Sequence, residues 1–534
     1  MSIISLSFLL FIFAVFAIYY AVPKRLQWMV LLAASVFFYL LCGLQNFCYV
    51  LLTATTVYLA TRWMQSVLQK QKAFLKENKE SLSREEKAAI KKKNQGKRKA
   101  IMVATLLFNL AILCVFKYSN FVIEQINGVS GLFGKSTSLS AVDFLIPLGI
   151  SFYTFQSIGY LVDCYWEHCE PEKNYFKVLL FVSFFPQMTQ GPISSFEQLS
   201  PQLFAQHKFE YRNYTYGLQR MLWGFLKKMV IASVLAGYVQ DVFQNYASYT
   251  GITVLIGAFM YSVQIYADFS GYMDIMCGFC QVLGIELTEN FQRPYFAKSI
   301  AEYWRRWHIS LGAWFKKYIY YPIGMSNWSR SFAKNTREKF GKHFSDTVPA
   351  TIALLVTWLA TGLWHGANWA YIAWGLVNGL FIILSLWLEP VYAHTRKLLR
   401  VRESSFGWRA FQTLRTFTLV TFIKVLPEVG TLSQGFGLWK RIFTDFTIPS
   451  GLSALLPFVA FNQAFDLLDF LVAAGCTGLL LVVSLIQRKK PVREYLDEKP
   501  WAIRMLLFAV LTMLVLLFGV SASCGEGGFL YEKF

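Results

Sequence analysis

Long apolar segments alternate with short basic ones along most of the 534-residue chain. A membrane-spanning helix needs roughly 20 mostly apolar residues, and segments of about that length recur here. They lie at about 4–22, 27–43, 46–61, 101–117, 142–163, 350–388, 411–425, 466–486 and 502–520. With an interrupted middle third added, the pattern predicts an all-α polytopic membrane protein with roughly 11–13 transmembrane helices.

The basic residues predict the orientation of these spans. Residues 62–100 carry 13 Lys and Arg against 4 Asp and Glu, and Lys24 and Arg25 follow the first apolar segment. Because basic loops stay in the cytoplasm, we expect the N-terminus outside. Basic residues flank 350–388 on both sides, which predicts a hairpin of two spans with its turn at 363–368. The later spans place the C-terminus outside too.

The middle third differs from the regular spans. Between about 176 and 345, proline, glycine and charged residues repeatedly break the apolar runs. Irregular backbone at membrane depth is tolerated only where protein buries it or it lines a cavity, so we expect re-entrant segments and a water-accessible interior. We interpret 1–534 as a single membrane domain, with N-terminal spans at 1–61, a basic, helical cytoplasmic loop at 62–100, a core at 101–390 and C-terminal spans at 391–534.

Composition supports the membrane class and excludes others. Apolar residues make up 55% of the chain and charged residues 15%, which is too apolar for a soluble enzyme of this size. The net charge of +20 is carried by short runs between spans, so we expect no nucleic-acid binding. The pairs Cys277–Cys280 and Cys164–Cys169 lack a second pair of ligands, so packing is favoured and no metal is expected.

A histidine at the predicted hairpin turn is the first candidate for chemistry. His365 lies between Trp364 and Gly366 and is one of six histidines in the chain. Ionisable residues inside a bilayer are costly and therefore candidates for function. Asn368 could hydrogen-bond one imidazole nitrogen and orient the ring. The alternative, a histidine that only satisfies its hydrogen bonds at the membrane interface, remains open from these residues.

The segment 302–318 is the second candidate. Read as one continuous helix, it places His308 on an aromatic face with Trp304, Trp307, Leu311, Trp314, Phe315 and Tyr318. The basic residues Arg305 and Lys316, and likewise Arg306 and Lys317, are eleven positions apart and nearly superimpose. This pattern fits either an interfacial helix on anionic lipid or a wall that offers positive charge to a phosphate-bearing ligand.

Three acidic residues, Asp163, Asp268 and Asp274, lie in apolar surroundings. Such carboxylates occur in proton-coupled transporters. They also pair with basic residues and hold irregular backbone in place. Structural pairing with the Arg residues of the middle third is the favoured interpretation.

Six motifs between about 145 and 370 together resemble one family. They are Ile146-Pro-Leu-Gly-Ile-Ser-Phe-Tyr-Thr-Phe-Gln156, Phe185-Pro186 with Gly191-Pro192, Tyr266-Ala-Asp-Phe-Ser-Gly-Tyr272, Asn290-Phe-Gln-Arg-Pro-Tyr295, Tyr303-Trp-Arg-Arg-Trp-His-Ile-Ser-Leu311 and Gly362-Leu-Trp-His-Gly-Ala-Asn368. The sequence resembles the membrane-bound O-acyltransferase (MBOAT) family, in its bacterial alginate and peptidoglycan O-acetyltransferase-type branch, which is related to the teichoic-acid D-alanyl transfer protein. The ending Gly527-Gly-Phe-Leu-Tyr531 also looks like the alginate type.

The resemblance implies a ring of helices around a central tunnel. His365 matches the family's invariant histidine, and His308 matches its second His/Asn position. We expect His365 to act as general base and His308 to stabilise the oxyanion or position the donor. Asn368, Trp364 and Trp304 would support them, and Arg305, Arg306, Lys316 and Lys317 would bind the donor's phosphates.

The resemblance also implies the substrates. No bound cofactor is expected; the donor is acyl-coenzyme A, with acetyl favoured, or an acyl-carrier-protein thioester on the cytoplasmic side. The acceptor is a hydroxyl of a cell-surface polysaccharide or of an extracytoplasmic esterase-like partner, and the location is the bacterial cell membrane, among its lipids. Alternatives are a teichoic-acid D-alanyl transferase that uses a carrier protein, and a transporter or scaffold without catalysis.

Overall fold

The computed structural model describes residues 3–134, 139–143, 146–449, 451 and 467–519. These residues form helices and turns, and their β structure is limited to one isolated bridge between Phe291 and Trp307. The all-α prediction is confirmed. The motif at 527–531 and the predicted position of the C-terminus lie outside the described residues.

The described residues of the first half hold ten α-helices. Their bounds are α1 (Leu6–Ala21), α2 (Gln27–Leu41), α3 (Leu44–Glu77), α4 (Arg84–Leu132), α5 (Ile150–Tyr165), α6 (Tyr175–Ser183), α7 (Phe196–Leu203), α8 (Tyr211–Phe225), α9 (Ser233–Gln244) and α10 (Gly251–Val282).

The described second half adds eleven α-helices. They are α11 (Ile300–Arg306), α12 (Ile309–Phe315), α13 (Tyr321–Gly324), α14 (Asn327–His365), α15 (Trp369–Trp387), α16 (Glu389–Leu398), α17 (Phe406–Glu428), α18 (Leu432–Thr444), α19 (Leu467–Ile486), α20 (Val492–Asp497) and α21 (Trp501–Phe518). A break in α14 falls at Gly341, whose φ is +79°.

Eight described helices are long and apolar enough to cross a membrane, and two shorter apolar ones accompany them. The eight are Lys24–Leu41, Arg84–Leu132, Tyr211–Gln244, Gly251–Val282, Asn327–His365, Trp369–Trp387, Leu467–Ile486 and Trp501–Phe518. The protein is therefore a multi-pass membrane protein. The predicted span at 142–163 begins its helix later, at Ile150, because Gly149 adopts a left-handed φ of +73° immediately before it.

The chain packs as two compact units, and its organisation as a single domain stays a prediction. The first unit comprises Leu6–Tyr214 with Cys280–Leu287. In it, α3 and α4 carry the basic segment 62–100 as an antiparallel helical pair, and Ser83 and Glu86 form a capping box at the start of α4. This segment is helical, as predicted, apart from the turn at 78–83.

Ion pairs tie the base of this helical pair to α5. Arg98 is buried and donates to the Glu167 carboxylate at 2.7 Å and to the Tyr165 carbonyl at 2.8 Å. Lys72 lies 3.6 Å from the same carboxylate. One acidic residue thus fastens α3 and α4 beside the end of α5, which fixes the basic segment in place.

The second unit comprises Thr215–Phe279 and Thr288–Phe534 with a short N-terminal piece. Its helices are irregular, as the breaks in the apolar pattern predict. The backbone widens into π-helix at Leu226–Ala232 and Lys316–Tyr320 and forms a 3₁₀ turn at Pro294–Phe296. Such π segments occur often at functional sites, which draws attention to this part of the chain.

The predicted hairpin is confirmed, since α14 ends at His365 and α15 begins at Trp369. Glycines bring the two helices into backbone contact. A Cβ atom on Gly375 would lie 2.5 Å from the Trp358 carbonyl oxygen and 2.9 Å from the Gly362 Cα. Gly375 and Gly379 follow the small-xxx-small spacing that permits this approach in membranes. The hairpin holds His365 at its turn.

Candidate active site

The ring of His365 is held by its own helix. Its Nδ1 lies 2.7 Å from the backbone carbonyl oxygen of Thr361, one turn earlier in α14. A carbonyl oxygen can only accept a hydrogen bond, so Nδ1 carries the proton. In the neutral ring, Nε2 is then the basic nitrogen. The side chain is buried, with 5% of its surface exposed.

Two tryptophan rings enclose His365. The ring centroids of Trp364 and Trp374 lie 4.9 and 4.6 Å from the imidazole centroid, both at steep angles. Trp364 also packs on His308, with centroids 6.1 Å apart. The two predicted catalytic histidines therefore flank one tryptophan.

Trp304, predicted as a supporting residue, contacts the neighbours of His365. Its ring packs on Trp374 at 5.4 Å, and its Nε1 donates to the Asn378 Oδ1 at 3.0 Å. Asn378 in turn donates to the Trp374 carbonyl at 2.8 Å. Trp304 therefore fixes the ring that packs on His365, without touching the histidine itself.

The prediction of one continuous helix over 302–318 was wrong. α11 ends at Arg306, Trp307 is extended, and His308 adopts φ +47° and ψ +53° before α12 begins. A left-handed conformation is uncommon for a residue with a side chain, and such strain occurs often at functional sites. The break removes the helical register in which Arg305 and Arg306 were to superimpose on Lys316 and Lys317.

Hydrogen bonds from a distant segment stabilise this break. The Ser310 amide donates to the Asn290 side-chain oxygen at 3.0 Å, and the Ile309 amide donates to the Asn290 carbonyl at 3.1 Å. The Gln292 amide donates to the Arg306 carbonyl at 3.0 Å. Segment 290–292 thus satisfies the first amides of α12, which a local sequence pattern cannot reveal.

The environment of His308 keeps its imidazole neutral. The side chain is 1% exposed, and its ring lies 4.8 Å from the Phe269 ring centroid. Burial first, and then the nearby His365, lower the pKa of His308 well below its usual value. A neutral imidazole can donate one hydrogen bond and accept another, which suits a group that stabilises developing negative charge.

Asn368 does not orient His365. Its side-chain oxygen accepts from the Ala370 amide at 2.8 Å and caps α15, while its Nδ2 donates to the Gly430 carbonyl at 2.6 Å. The structure gives the orienting contact to Thr361 instead. The sequence could not reveal the contact with Thr361. Whatever residue lies four positions before a helical histidine has a backbone carbonyl there.

The four predicted donor-binding cations are not brought together. Arg306 forms an ion pair with Glu302 at 2.6 Å, and Arg305 is exposed. Lys316 and Lys317 lie over the rings of Tyr321 and Tyr318, at 5.3 and 5.2 Å from their centroids. Of the four, only Arg306 lines the cavity of the second unit.

That cavity has a volume of about 700 Å³ and is strongly basic. Seven of its charged lining residues are cations and two are carboxylates: Arg220, Lys227, Arg293, Arg306, Lys489, Lys490 and Arg493 against Asp274 and Glu289. Burial and the charges of Arg306 and Arg488 lower the pKa of Arg293, which is a sign of crowded cations. The cavity is lined by Asn290, the residue that holds α12, but by neither histidine.

Two of the three buried carboxylates, Asp274 and Asp268, pair with cations. Asp274 lies 2.9 Å from Arg220 and 2.6 Å from Lys227, and Asp268 lies 2.5 Å from Lys228. Asp163 in the first unit lies 3.7 Å from His168. The transporter interpretation loses its main support, because these contacts give the carboxylates a structural task.

The fold and the site define a class: an all-α, multi-pass membrane protein with two buried histidines around one tryptophan. Residues 172–423, which include both histidines, match the family model described as MBOAT, membrane-bound O-acyltransferase family. This part of the chain is similar to that family.

Two of three named relatives match a longer stretch. The chain is 31% identical over 343 residues to the probable alginate O-acetylase AlgI of Pseudomonas aeruginosa, covering 64% of this chain and 60% of that protein. It is 32% identical over 366 residues to the peptidoglycan O-acetyltransferase of Helicobacter pylori, covering 64% of each. It is 27% identical over 240 residues to the teichoic acid D-alanyltransferase of Bacillus subtilis, covering 44% of this chain and 58% of that protein. The matches thus span less than two thirds of these relatives.

Proposed function

We propose that the protein is a membrane O-acyltransferase. It moves an acyl group, most simply acetyl, from a cytoplasmic thioester to a hydroxyl of a cell-surface polysaccharide or of an extracytoplasmic partner protein. The observation that carries this proposal is the arrangement of His365. Its Nδ1 donates to Thr361, which leaves Nε2 as the basic nitrogen in a buried site shared with His308.

The reaction follows from that tautomer. A sugar hydroxyl is a poor nucleophile at neutral pH, and Nε2 of His365 takes its proton as the oxygen attacks the thioester carbonyl. The new carbon–oxygen bond forms and the carbon–sulfur bond breaks. The proton held by His365 is then given to the leaving thiolate. Neutral His308 stabilises the negative charge that develops on the carbonyl oxygen.

The basic cavity is the proposed donor route. Coenzyme A and the carrier-protein arm both hold the acyl group on a phosphate-bearing chain, and an excess of cations attracts phosphate. The basic run 488–490 belongs to the cytoplasmic side by the distribution of charges. Arg293, Arg306 and Lys489 replace the set proposed from sequence, of which only Arg306 remains. Supplying purified protein with each thioester in turn tests which donor is used.

Acetyl is favoured over D-alanyl by the relatives. The two named O-acetyl-transferring relatives are 31% and 32% identical over more than 340 residues, against 27% over 240 residues for the D-alanyl transferase. The relatives' names further suggest a polysaccharide or peptidoglycan acceptor and a bacterial cell membrane as the location.

Replacing His365 tests the proposed function. A strain lacking the protein should lose acetyl esters from its surface glycan, and His365→Ala should fail to restore them, because the substitution removes the proposed general base. Ester content is measured after mild alkaline release, with protein level in membranes checked by immunoblot.

The matched control is His394→Ala, which removes an exposed histidine of α16 and should restore the esters fully. Normal ester content with His365→Ala would remove His365 from the catalytic role. Unchanged ester content in the strain lacking the protein would contradict acyl transfer altogether and favour a transporter or scaffold.

A further inference from the structure

A buried lysine near the end of α17 takes no part in the reaction described above. Lys424 is 5% exposed. Its Nζ lies 3.8 Å from the ring centroid of Trp307, 4.8 Å from that of Tyr295 and 5.2 Å from that of Tyr303. The ammonium group therefore occupies an aromatic cage, an arrangement that proteins use to bind cations.

The three rings are arranged to receive a cation. Tyr295 and Tyr303 are 6.2 Å apart with planes at 17°, and Tyr303 and Trp307 are 5.6 Å apart with planes at 22°. Lys424 also donates to the Tyr295 hydroxyl oxygen at 2.8 Å. That hydroxyl donates its own hydrogen to the Ser262 carbonyl, so its oxygen is oriented to accept from the lysine.

The cage is what compensates the buried charge. Within the described ranges, no carboxylate oxygen lies within ion-pair distance of the Lys424 Nζ. A buried ammonium without a carboxylate needs other partners, and here they are one hydroxyl and three ring faces. The cation–π attraction is mutual, so Lys424 also restrains the three rings.

The most tightly held ring belongs to the residue before His308. Trp307 is the extended residue at the break between α11 and α12, and it forms the bridge to Phe291. His308 follows it with a left-handed backbone. Since that conformation is strained, it persists only where the surroundings determine it. The position of the Trp307 ring therefore sets the position of His308.

We propose that Lys424 is a positioning residue for His308. Its cation holds the Trp307 ring, and that ring fixes the backbone break that presents His308 beside Trp364 and His365. The proposal rests on the proposed acyl transfer. It adds a residue 116 positions further along the chain to the machinery of that reaction.

Two substitutions separate positioning from simple packing. Lys424→Met keeps the length of the side chain and removes the charge, whereas Lys424→Arg keeps a cation that stacks on aromatic rings. In membrane vesicles given radiolabelled acetyl-coenzyme A, Lys424→Met should lower kcat for glycan acetylation about tenfold. KM for the thioester should stay within about twofold, and Lys424→Arg should recover most of kcat.

The control is Lys177→Met, which removes a half-buried lysine–ring contact, 4.6 Å from the Phe204 centroid in the first unit. It should leave kcat unchanged. Wild-type kcat with Lys424→Met, or an equal loss with Lys424→Arg, would overturn the positioning role.

If Lys424→Met fails to accumulate, Trp307→Phe is measured instead. This variant should lower kcat with KM unchanged, and an unchanged kcat counts against the proposal. Absence of transfer by the wild-type protein from both acetyl-coenzyme A and an acetyl-carrier-protein thioester contradicts the proposed function itself, which is a different result.

Discussion

Backbone geometry contributes to the arrangement of both histidines of the site. His365 has its tautomer set by the carbonyl of Thr361, four residues before it in the same helix. His308 has its direction set by a left-handed backbone at a helix break. Backbone groups are present whatever the side chain, so this arrangement depends on where helices begin and end.

The neutral state of His308 predicts a pH dependence of stability. Its pKa is lowered in the folded protein, so the unfolded chain binds a proton below about pH 6.5 that the folded chain does not. The contribution of neutral His308 to the free energy of unfolding is therefore fully present above that pH. It is lost progressively as the pH falls below it. We expect the apparent Tm in detergent to drop more steeply from about pH 6.5 to about pH 5 for wild type than for His308→Gln.

A control separates this effect from the other histidines. His394→Gln removes an exposed histidine and should keep the steep wild-type dependence on pH. Equal slopes for wild type and His308→Gln would mean that His308 binds protons alike in the folded and unfolded chain.

Among the elements, the hairpin of α14 and α15 carries the site. Its helices meet through Gly362 and Gly375, and a Cβ atom on Gly362 would lie 2.6 Å from the Tyr371 carbonyl oxygen. Helices in lipid associate through this kind of close packing, because lipid is as apolar as the side chains and the hydrophobic effect does not drive the helices together. The distance between α14 and α15 therefore controls where Trp374 meets His365.

Adding one methyl group should disturb this contact. Gly375→Ala places its Cβ against backbone on α14, where nothing flexible can give way. We expect a loss of roughly 1–3 kcal/mol in stability, seen as a lower apparent Tm in detergent and reduced acyl transfer.

Gly475→Ala in α19 is the matched control, because nothing lies within 4 Å of its added Cβ. Alanine forms helices better than glycine, so this variant should be neutral or slightly stabilised. Equal behaviour of the two variants would show that the contact between α14 and α15 tolerates a wider spacing.

At the scale of the whole molecule, charge sets the direction of the chain through the membrane. α3 has 34 residues and α4 has 49, so at 1.5 Å per residue they are about 51 and about 74 Å long. The hydrocarbon core of a bilayer is only about 30 Å thick. Both helices therefore extend beyond it, and the basic segment 62–100 is the part that leaves the lipid.

The orientation can be measured with inserted protease sites. A site in the turn at 78–83 should be cut in inside-out vesicles and protected in right-side-out ones, because the basic residues hold that turn in the cytoplasm. A site after Gly134, at the other end of α4, should show the reverse pattern. The opposite result at both sites would place the N-terminus inside and reverse the proposed donor side.

Much of the fold follows from local patterns. The apolar runs at 4–22 and 27–43 became α1 and α2, and the basic flanks of 350–388 correctly predicted a hairpin that ends at His365. The pairing of Asp268 and Asp274 with cations also followed from the cost of a charge in apolar surroundings. Interrupted helices were expected where proline and glycine fall, but not the break at Trp307 and His308, which neither residue type marks.

The sequence by itself determined the membrane class, the all-α fold and the hairpin, because helices that lie in lipid need long, strongly apolar segments. Only the tertiary structure decided which groups act on the two histidines of the site. Asn290 supports the start of α12, Thr361 orients His365, and Lys424 holds Trp307, although 290, 307 and 424 are far apart in sequence. Contacts of that kind depend on where separate helices meet. The sequence does not show which partner a backbone carbonyl or an aromatic ring will contact.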